Sequence, residues 1–293
     1  MKRFIIFVAA LVLNVFASPS WSEEAAPPQM AALKAMGITV SKAHGGTYNI
    51  DIRDANALTE EAWTKIETLG AVRKFNVGAG AEFTDVTLAR MAGFRGLEEI
   101  FINGSAITDE GIAVLARLPK LQHFGMHHGP AALTGKGLLA LKDHAPFRSV
   151  EFGGINGIDD RTAGYLAQRP QLRAVKLFHT RNTRASLSQL AALPVLESFC
   201  LNPHWEPKRV DPADIALLAP AKQLRELDLG DMVLPFENGL THLKGFAALK
   251  KVSLEWSYYT DEDLAKLRAA LPGLEIKTGN RAGEKNSPSG TRG

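Results

Sequence analysis

The sequence predicts an α/β solenoid, in which parallel strands form one layer and helical crossovers form the other. Three observations carry that expectation. Residues 97–120 (LEEIFINGSAITDEGIAVLARLPK) read as one strand-loop-helix unit. Ile100 and Ile102 follow the period of two of a strand with one buried face, whereas Ile112, Leu115 and Leu118 follow helical spacing. The unit recurs: its leading apolar residue is found at Val72, Leu97, Leu121, Phe147, Leu172, Leu196, Leu224, Leu249 and Leu274, at intervals of 25, 24, 26, 25, 24, 28, 25 and 25 residues. A segment this short cannot bury either apolar face alone, so successive copies must stack.

From the beginning of the chain, Lys2 and Arg3 precede an apolar run, Phe4 to Ala17, and then SPSWSEE. This is the pattern of a secretory signal peptide, expected over residues 1–22, and the run is shorter than the roughly 20 residues that span a bilayer. No membrane span is expected after its removal. Without Lys2 and Arg3 the 34 basic residues become 32 against 31 acidic ones, a net charge near +1. With no dense basic stripe interleaved with aromatics, nucleic acid is not an expected partner. The one cysteine, Cys200, excludes an intramolecular disulfide.

Residues 23–46 are expected to form a linker and N-terminal cap. Pro27-Pro28 opens a short helix that Gly37 stops, and the segments 38–40 and 47–52 flank a Gly45-Gly46 turn, giving an extra strand to cover the first repeat's edge. The repeat domain is expected over 47–277. Its strands carry the inward pairs Phe75/Val77, Ile100/Ile102, Phe124/Met126, Val150/Phe152, Val175/Leu177, Phe199/Leu201, Leu227/Leu229 and Val252/Leu254. Helix starts recur as LTEEAWTKI, FTDVTLARM, ITDEGIAVL, LTGKGLLAL, IDDRTAGYL and YTDEDLAKL, with Thr59, Thr84, Thr108, Thr134, Asp159 and Thr260 as N-caps. The last strand, 274–276, has no helix after it, and residues 278–293 read as a disordered tail.

The L-x-x-L-x-L strands, the repeat length and the ITDEG-type helix starts resemble the leucine-rich repeat family, in particular exported bacterial members with a short repeat related to the cysteine-containing subfamily. The resemblance covers roughly residues 38–277. It implies a right-handed, ribonuclease-inhibitor-like horseshoe with the parallel sheet on the concave face and helices on the convex face. It also implies a binding scaffold whose partner contacts lie on the sheet. The repeats at Leu172 and Leu196 depart from the pattern: both lack the Thr-Asp start, and the second expands to 28 residues through NPHWEPKRVDP.

On the concave face a central column is expected to run Asp51, Asn76, Phe101, Gly125, Glu151, Lys176, Cys200, Asp228 and Ser253. Its neighbour runs Arg53, Gly78, Asn103, His127, Gly153, Phe178, Asn202, Gly230 and Glu255. Phe101, Asn103, His127, Glu151, Lys176, Phe178, Asn202 and Asp228, together with Trp205 in the expanded repeat, are the candidate partner contacts, with Phe101 and Phe178 as exposed anchors. Trp256, Tyr258 and Tyr259 form a second aromatic group, read as part of a C-terminal cap. His123, His127 and His128 tempt a metal assignment, but His123 and His127 stand roughly 13 Å apart along a strand and His128 should face the other side. No metal or other cofactor is expected. Cys200 reads as a partly covered thiol, and no GxSxG, HExxH, phosphate-loop or paired-cysteine motif points to an enzyme. The expectation is therefore a monomeric, non-catalytic protein, periplasmic or secreted, that binds another protein. A glycan or cell-wall ligand is the alternative, and an enzyme with a site on the concave face is a third.

Overall fold

The computed structural model describes residues 27–203 and 210–279. The signal-like segment, the tail beyond residue 279 and Trp205 lie outside the described residues.

Strands run in sequence order through one 11-stranded sheet. They are β1 (Ile38–Lys42), β2 (Tyr48–Ile52), β3 (Val72–Val77), β4 (Glu99–Asn103), β5 (His123–His127), β6 (Ser149–Gly153), β7 (Ala174–Phe178), β8 (Ser198–Asn202), β9 (Glu226–Leu229), β10 (Lys251–Ser253) and β11 (Glu275–Lys277). Only β1 and β2 pair antiparallel, through Ile38↔Ile52 and Val40↔Ile50; every later pair is parallel. The β1–β2 hairpin turns at Gly45 and Gly46, both at positive φ. Helix α1 (Pro28–Ala35) lies beside it with Leu33 fully buried. A first strand that runs the other way cannot template another repeat, so it closes that end of the stack.

Between strands the chain crosses back through α2 (Glu60–Glu67), α3 (Asp85–Arg90), α4 (Asp109–Val114), α5 (Asp160–Ala167), α6 (Arg184–Leu190) and α7 (Asp261–Ala270), or through 3₁₀ turns at Lys136–Leu141, Pro212–Leu218 and Leu240–Gly245. The helix expected from LTGKGLLAL is thus a 3₁₀ turn. It starts after Gly135 at φ 76°, and a Cβ on Gly137 would stand 2.0 Å from the Asp109 carbonyl oxygen, so the segment packs too closely on the preceding repeat for a full α turn. The inward strand residues fill one continuous core with the crossover side chains: Phe75, Phe124, Phe152, Ile112 and Leu187 are each fully buried.

The Thr-Asp helix starts do two separate jobs. The threonine caps its own helix, as Thr59 does by accepting from the Ala62 amide at 3.2 Å and Thr260 from Asp263 at 3.1 Å. The aspartate that follows reaches forward into the next repeat. Asp85 accepts from the Thr108 amide (2.8 Å) and hydroxyl (2.6 Å); Asp109 accepts from the Thr134 amide (3.1 Å), its hydroxyl (2.7 Å) and the Gly137 amide (3.2 Å). Asp160 does the same to Thr183, at 2.8 and 2.7 Å, and also accepts from the Ser186 hydroxyl. The glycine of ITDEG makes the approach possible, because a Cβ on Gly111 would stand 1.9 Å from Asp85 Oδ1. Each such carboxylate satisfies free amides at a helix start and carries negative charge to its positive end.

A second recurrence follows the strands. The residue after the second exposed column is left-handed in six repeats, with Pro203 interrupting the series: Gly104 (φ 67°), His128 (51°), Gly154 (62°), His179 (47°), Asp231 (51°) and Trp256 (63°). Glycine takes this conformation without strain, and histidine and aspartate are among the residues found there more often than most.

Replacing Asp109 by Ala removes three hydrogen bonds between repeats and is expected to cost about 1–3 kcal/mol, since bonds to an ionised group are the stronger kind. Urea unfolding measures it. An effect no larger than that of removing an exposed carboxylate elsewhere on the surface would show that the forward reach contributes nothing.

Candidate functional site

The pairing register aligns the sheet's outward residues as the sequence predicts. Asp51, Asn76, Phe101, Gly125, Glu151, Lys176, Cys200, Asp228 and Ser253 stand in line across β2 to β10, and Asn103, His127, Gly153, Phe178 and Asn202 form the neighbouring line across β4 to β8. With sheet, crossovers and register in place, the architecture is decided. The chain folds as a leucine-rich repeat solenoid.

Midway along the sheet these lines converge on His127. Its ring meets Phe101 edge-on with centroids 4.9 Å apart and Phe178 at 5.8 Å, and its Nε2 lies 2.9 Å from Glu151 Oε1. The other Glu151 oxygen pairs with Lys176 Nζ at 3.2 Å. Five of the candidate contacts are thus brought into one cluster: an aromatic row, Phe101–His127–Phe178, braced from below by an ion-paired carboxylate. Phe101 and Phe178 are half-buried, not the freely exposed anchors expected. The reason lies in the glycines between them. A Cβ on Gly125 would come 2.6 Å from the Phe101 ring, and one on Gly153 would come 2.6 Å from the His127 ring. Phe101 is therefore set over Gly125 and His127 over Gly153, while Phe178 packs against the edge of the His127 ring. The signal was present in the columns, where glycine follows Phe101 and His127 in the next repeat, but it takes the register to read it.

Electrostatics support the same picture. Burial raises the affinity of Glu151 for a proton, but the hydrogen bond from His127 and the ammonium of Lys176 outweigh it and hold the carboxyl down to about 2. His123, bonded through Nδ1 to Ser149 Oγ at 2.9 Å, is pushed below the ordinary imidazole range by burial. Beside Phe101 a shallow depression of about 270 Å³ is lined by Lys74, Asn76, Gly78, Glu99, Phe101 and His123, at the small end for a ligand cavity.

His128 corrects a second expectation. Counting along an ideal strand places it on the opposite face, but β5 ends at His127 and the left-handed turn swings the ring back beside it, 6.2 Å between centroids. There Nδ1 lies 2.7 Å from Asn103 Oδ1, and Asn103 in turn donates to the Gly78 carbonyl at 2.8 Å. Asn103 therefore joins the cluster through His128. Among the described residues no group of three or more histidine, cysteine, aspartate or glutamate side chains is arranged to hold a metal ion.

The remaining candidates stand apart. Asn202 lies over Gly230, where a Cβ would meet its side chain. Cys200 is 3% exposed, more covered than expected, and burial pushes its thiol well above the ordinary range, which disfavours a nucleophilic thiolate. Burial also raises Asp228 beside it. The aromatic group near the end of the array divides: Tyr259 is core, whereas Trp256 is 56% exposed and does not serve as cap packing.

The pairing of His179 with Asp231 was not legible in the sequence. His179 Nε2 lies 2.5 Å from Asp231 Oδ2, bridging two left-handed turns that are 52 residues apart and flank the expanded repeat. The hydrogen bond to Asp231 raises the imidazole above its ordinary value, against the opposing effect of burial.

No protein-family model matches the chain, and no curated protein does. Among solved structures, an internalin (inlF) from Listeria monocytogenes is similar at a TM-score of 0.48 and 15% identity, over 80% of this chain and 67% of its own. An internalin C2 (inlC2) from the same organism is similar at 0.45 and 19%, over 74% and 84%. Likenesses at this level carry no functional argument, and the fold rests on the strand register itself.

Two pH responses follow. Glu151 has a depressed folded value, so its contribution is present above its ordinary value and is lost as pH falls: the stability gap between the parent and Glu151→Gln is expected to close between about 4.5 and about 2. For His179 the sign reverses. Its raised folded value makes the bridge fully effective below the ordinary 6.5 and lost as pH rises through the folded value. Denaturant midpoints of the parent and Asp231→Asn, which keeps a residue tolerant of the left-handed turn, should accordingly differ most at pH 5 to 6 and least in alkali.

Proposed function

We propose that this is an exported, non-catalytic leucine-rich repeat protein that binds a protein partner across the exposed face of its sheet. The observation that carries the reading is the His127-centred row. Phe101, His127 and His128 are set at mid-sheet against neighbouring glycines, Phe178 packs on the His127 ring, and the Glu151–Lys176 pair braces His127. Side chains fixed in advance lose little freedom on binding, and aromatic groups surrounded by polar ones are the usual anchors of a protein interface. The flanking columns, with Asp51, Asn76, Asn103, Lys176, Asn202 and Asp228, would select the partner by charge and hydrogen bonding. Trp205 in the expanded repeat, the remaining candidate contact, lies outside the described residues.

The proposal places the protein in the periplasm or outside the cell, as a monomer whose signal peptide, residues 1–22, is removed. None of the described helices is long and apolar enough to cross a membrane. Residues 23–46 would cap the repeat domain, 47–277, and 278–293 would follow as a C-terminal tail, of which 280–293 lie outside the described residues. A glycan ligand is the second reading, favoured by the exposure of Trp256 alongside the amides of the second column.

Immobilised protein is expected to retain a specific partner from a native envelope fraction. Phe101→Ala and Phe178→Ala should each weaken capture about 10-fold or more, as anchors at the centre of an interface do, with far-UV circular dichroism unchanged. Capture unaffected by both would overturn the assignment to the sheet. A glycan array bound by the parent and lost in Trp256→Ala would favour the second reading.

A further inference from the structure

Two successive repeats break a rule that their neighbours keep. In the turn between crossover and strand, each repeat places one side chain in the core, its amide donating back to the end of the preceding helical segment. Leu69, Phe94, Leu118, Leu193, Ala221 and Phe246 hold this position, and none is more than 8% exposed. His144 and Arg169 occupy the same place, with the same backbone bonds to Leu141 O (2.9 Å) and Leu166 O (3.0 Å). Nothing in the stacking geometry calls for polarity there, because leucine fills the position on both sides.

Arg169 is fully buried. Its Nη2 donates to the Leu138 carbonyl, and its guanidinium carbon lies 5.3 Å from the centre of the Phe147 ring. Nε and Nη1 are buried with no partner, and no carboxylate among the described residues lies within ion-pair distance. Burial pushes the guanidinium down to about 10, only partly offset by the more distant Asp143, so it still carries its charge at neutral pH. Asp143 is turned to solvent, with its side chain 88% exposed and 3.8 Å from Lys142. His144 is hydrogen-bonded to the backbone of Leu121 and leaves Nε2 buried and unpaired. Gln171 fastens this turn by donating to the carbonyls of Lys142 (3.1 Å) and His144 (3.4 Å). A buried cation with two free donors and no counter-charge is among the costliest arrangements a core can hold, and the face of a phenyl ring compensates it only in part.

We propose that Arg169 forms a binding site for a small anion of chloride size, which supplies the missing counter-charge and accepts from the free guanidinium N–H groups. The complete cover over Arg169 selects a monatomic anion over an oxyanion or a peptide carboxylate, either of which would have to displace that cover. The site sits between crossover and strand, away from the His127 row, and does not depend on how the sheet face is used.

Thermal unfolding of the purified chain tests this, with chloride exchanged for gluconate at constant ionic strength. The midpoint is expected to rise saturably with chloride, as for any ligand that binds only the folded state. Arg169→Leu, which places the residue of Leu118 and Leu193 in the same column, should fold by circular dichroism and lose the shift. Crystals soaked in bromide should show an anomalous peak within contact of Arg169 Nε or Nη1. A chloride-independent midpoint, an equal shift in both proteins, or no bromide at Arg169 would overturn the proposal. So would a chloride-independent loss of stability in Asp143→Asn, which would identify that carboxylate as the counter-charge.

Discussion

The interaction on which this structure depends is the forward reach of a carboxylate from one repeat to the next, made at three of the described interfaces. In a solenoid each repeat meets only its neighbours, so the fold persists only while every interface is satisfied. Apolar burial brings layers together without fixing how one sits on the next. The bonds from Asp85 to Thr108, Asp109 to Thr134 and Asp160 to Thr183 supply that definition, tying a polar group at the start of one crossover to the free amides of the next. The motif is therefore compound: threonine serves its own helix, aspartate serves its successor, and the glycine of the third repeat serves its predecessor by leaving room for Asp85.

The same division explains what could be read before the fold was seen. Period-two pairs such as Ile100/Ile102 identify strands because alternation is a local property of one chain segment, and the pairing of Phe101 with Gly125 and of Glu151 with Lys176 followed from aligning the units. The threonine caps were legible for the same reason. The aspartate's partner was not, since nothing within ITDEG says that its carboxylate bonds 25 residues ahead. His128 was misplaced because period-two counting holds only while the strand lasts, and the left-handed turn begins one residue after His127. The half-burial of Phe101 and Phe178 was missed because exposure depends on what stands in the neighbouring repeats. Gly125 leaves room for the Phe101 ring, and the His127 ring covers one side of Phe178.

This packing changes how the sheet face should be pictured. A row of unsupported rings would be mobile and would lose much freedom on binding. Phe101 set over Gly125 and His127 set over Gly153 meet edge-on and continue into Phe178, and Glu151 is bonded to both His127 and Lys176, so the row forms a supported ridge. Its packing arises from the order of residue sizes across strands, not from any single strong contact.

The His179–Asp231 bridge joins turns on either side of the repeat that expands to 28 residues. The entropy lost in closing a loop grows only with the logarithm of its length, so that each doubling costs about 0.6 kcal/mol. The three extra residues of the expanded repeat, already counted within the 52 that separate His179 from Asp231, are nearly free by that measure. A bridge that skips the enlarged unit thus holds the rim to its pitch whatever the length of the excursion. The array can vary in length at this point without the layers on either side being displaced.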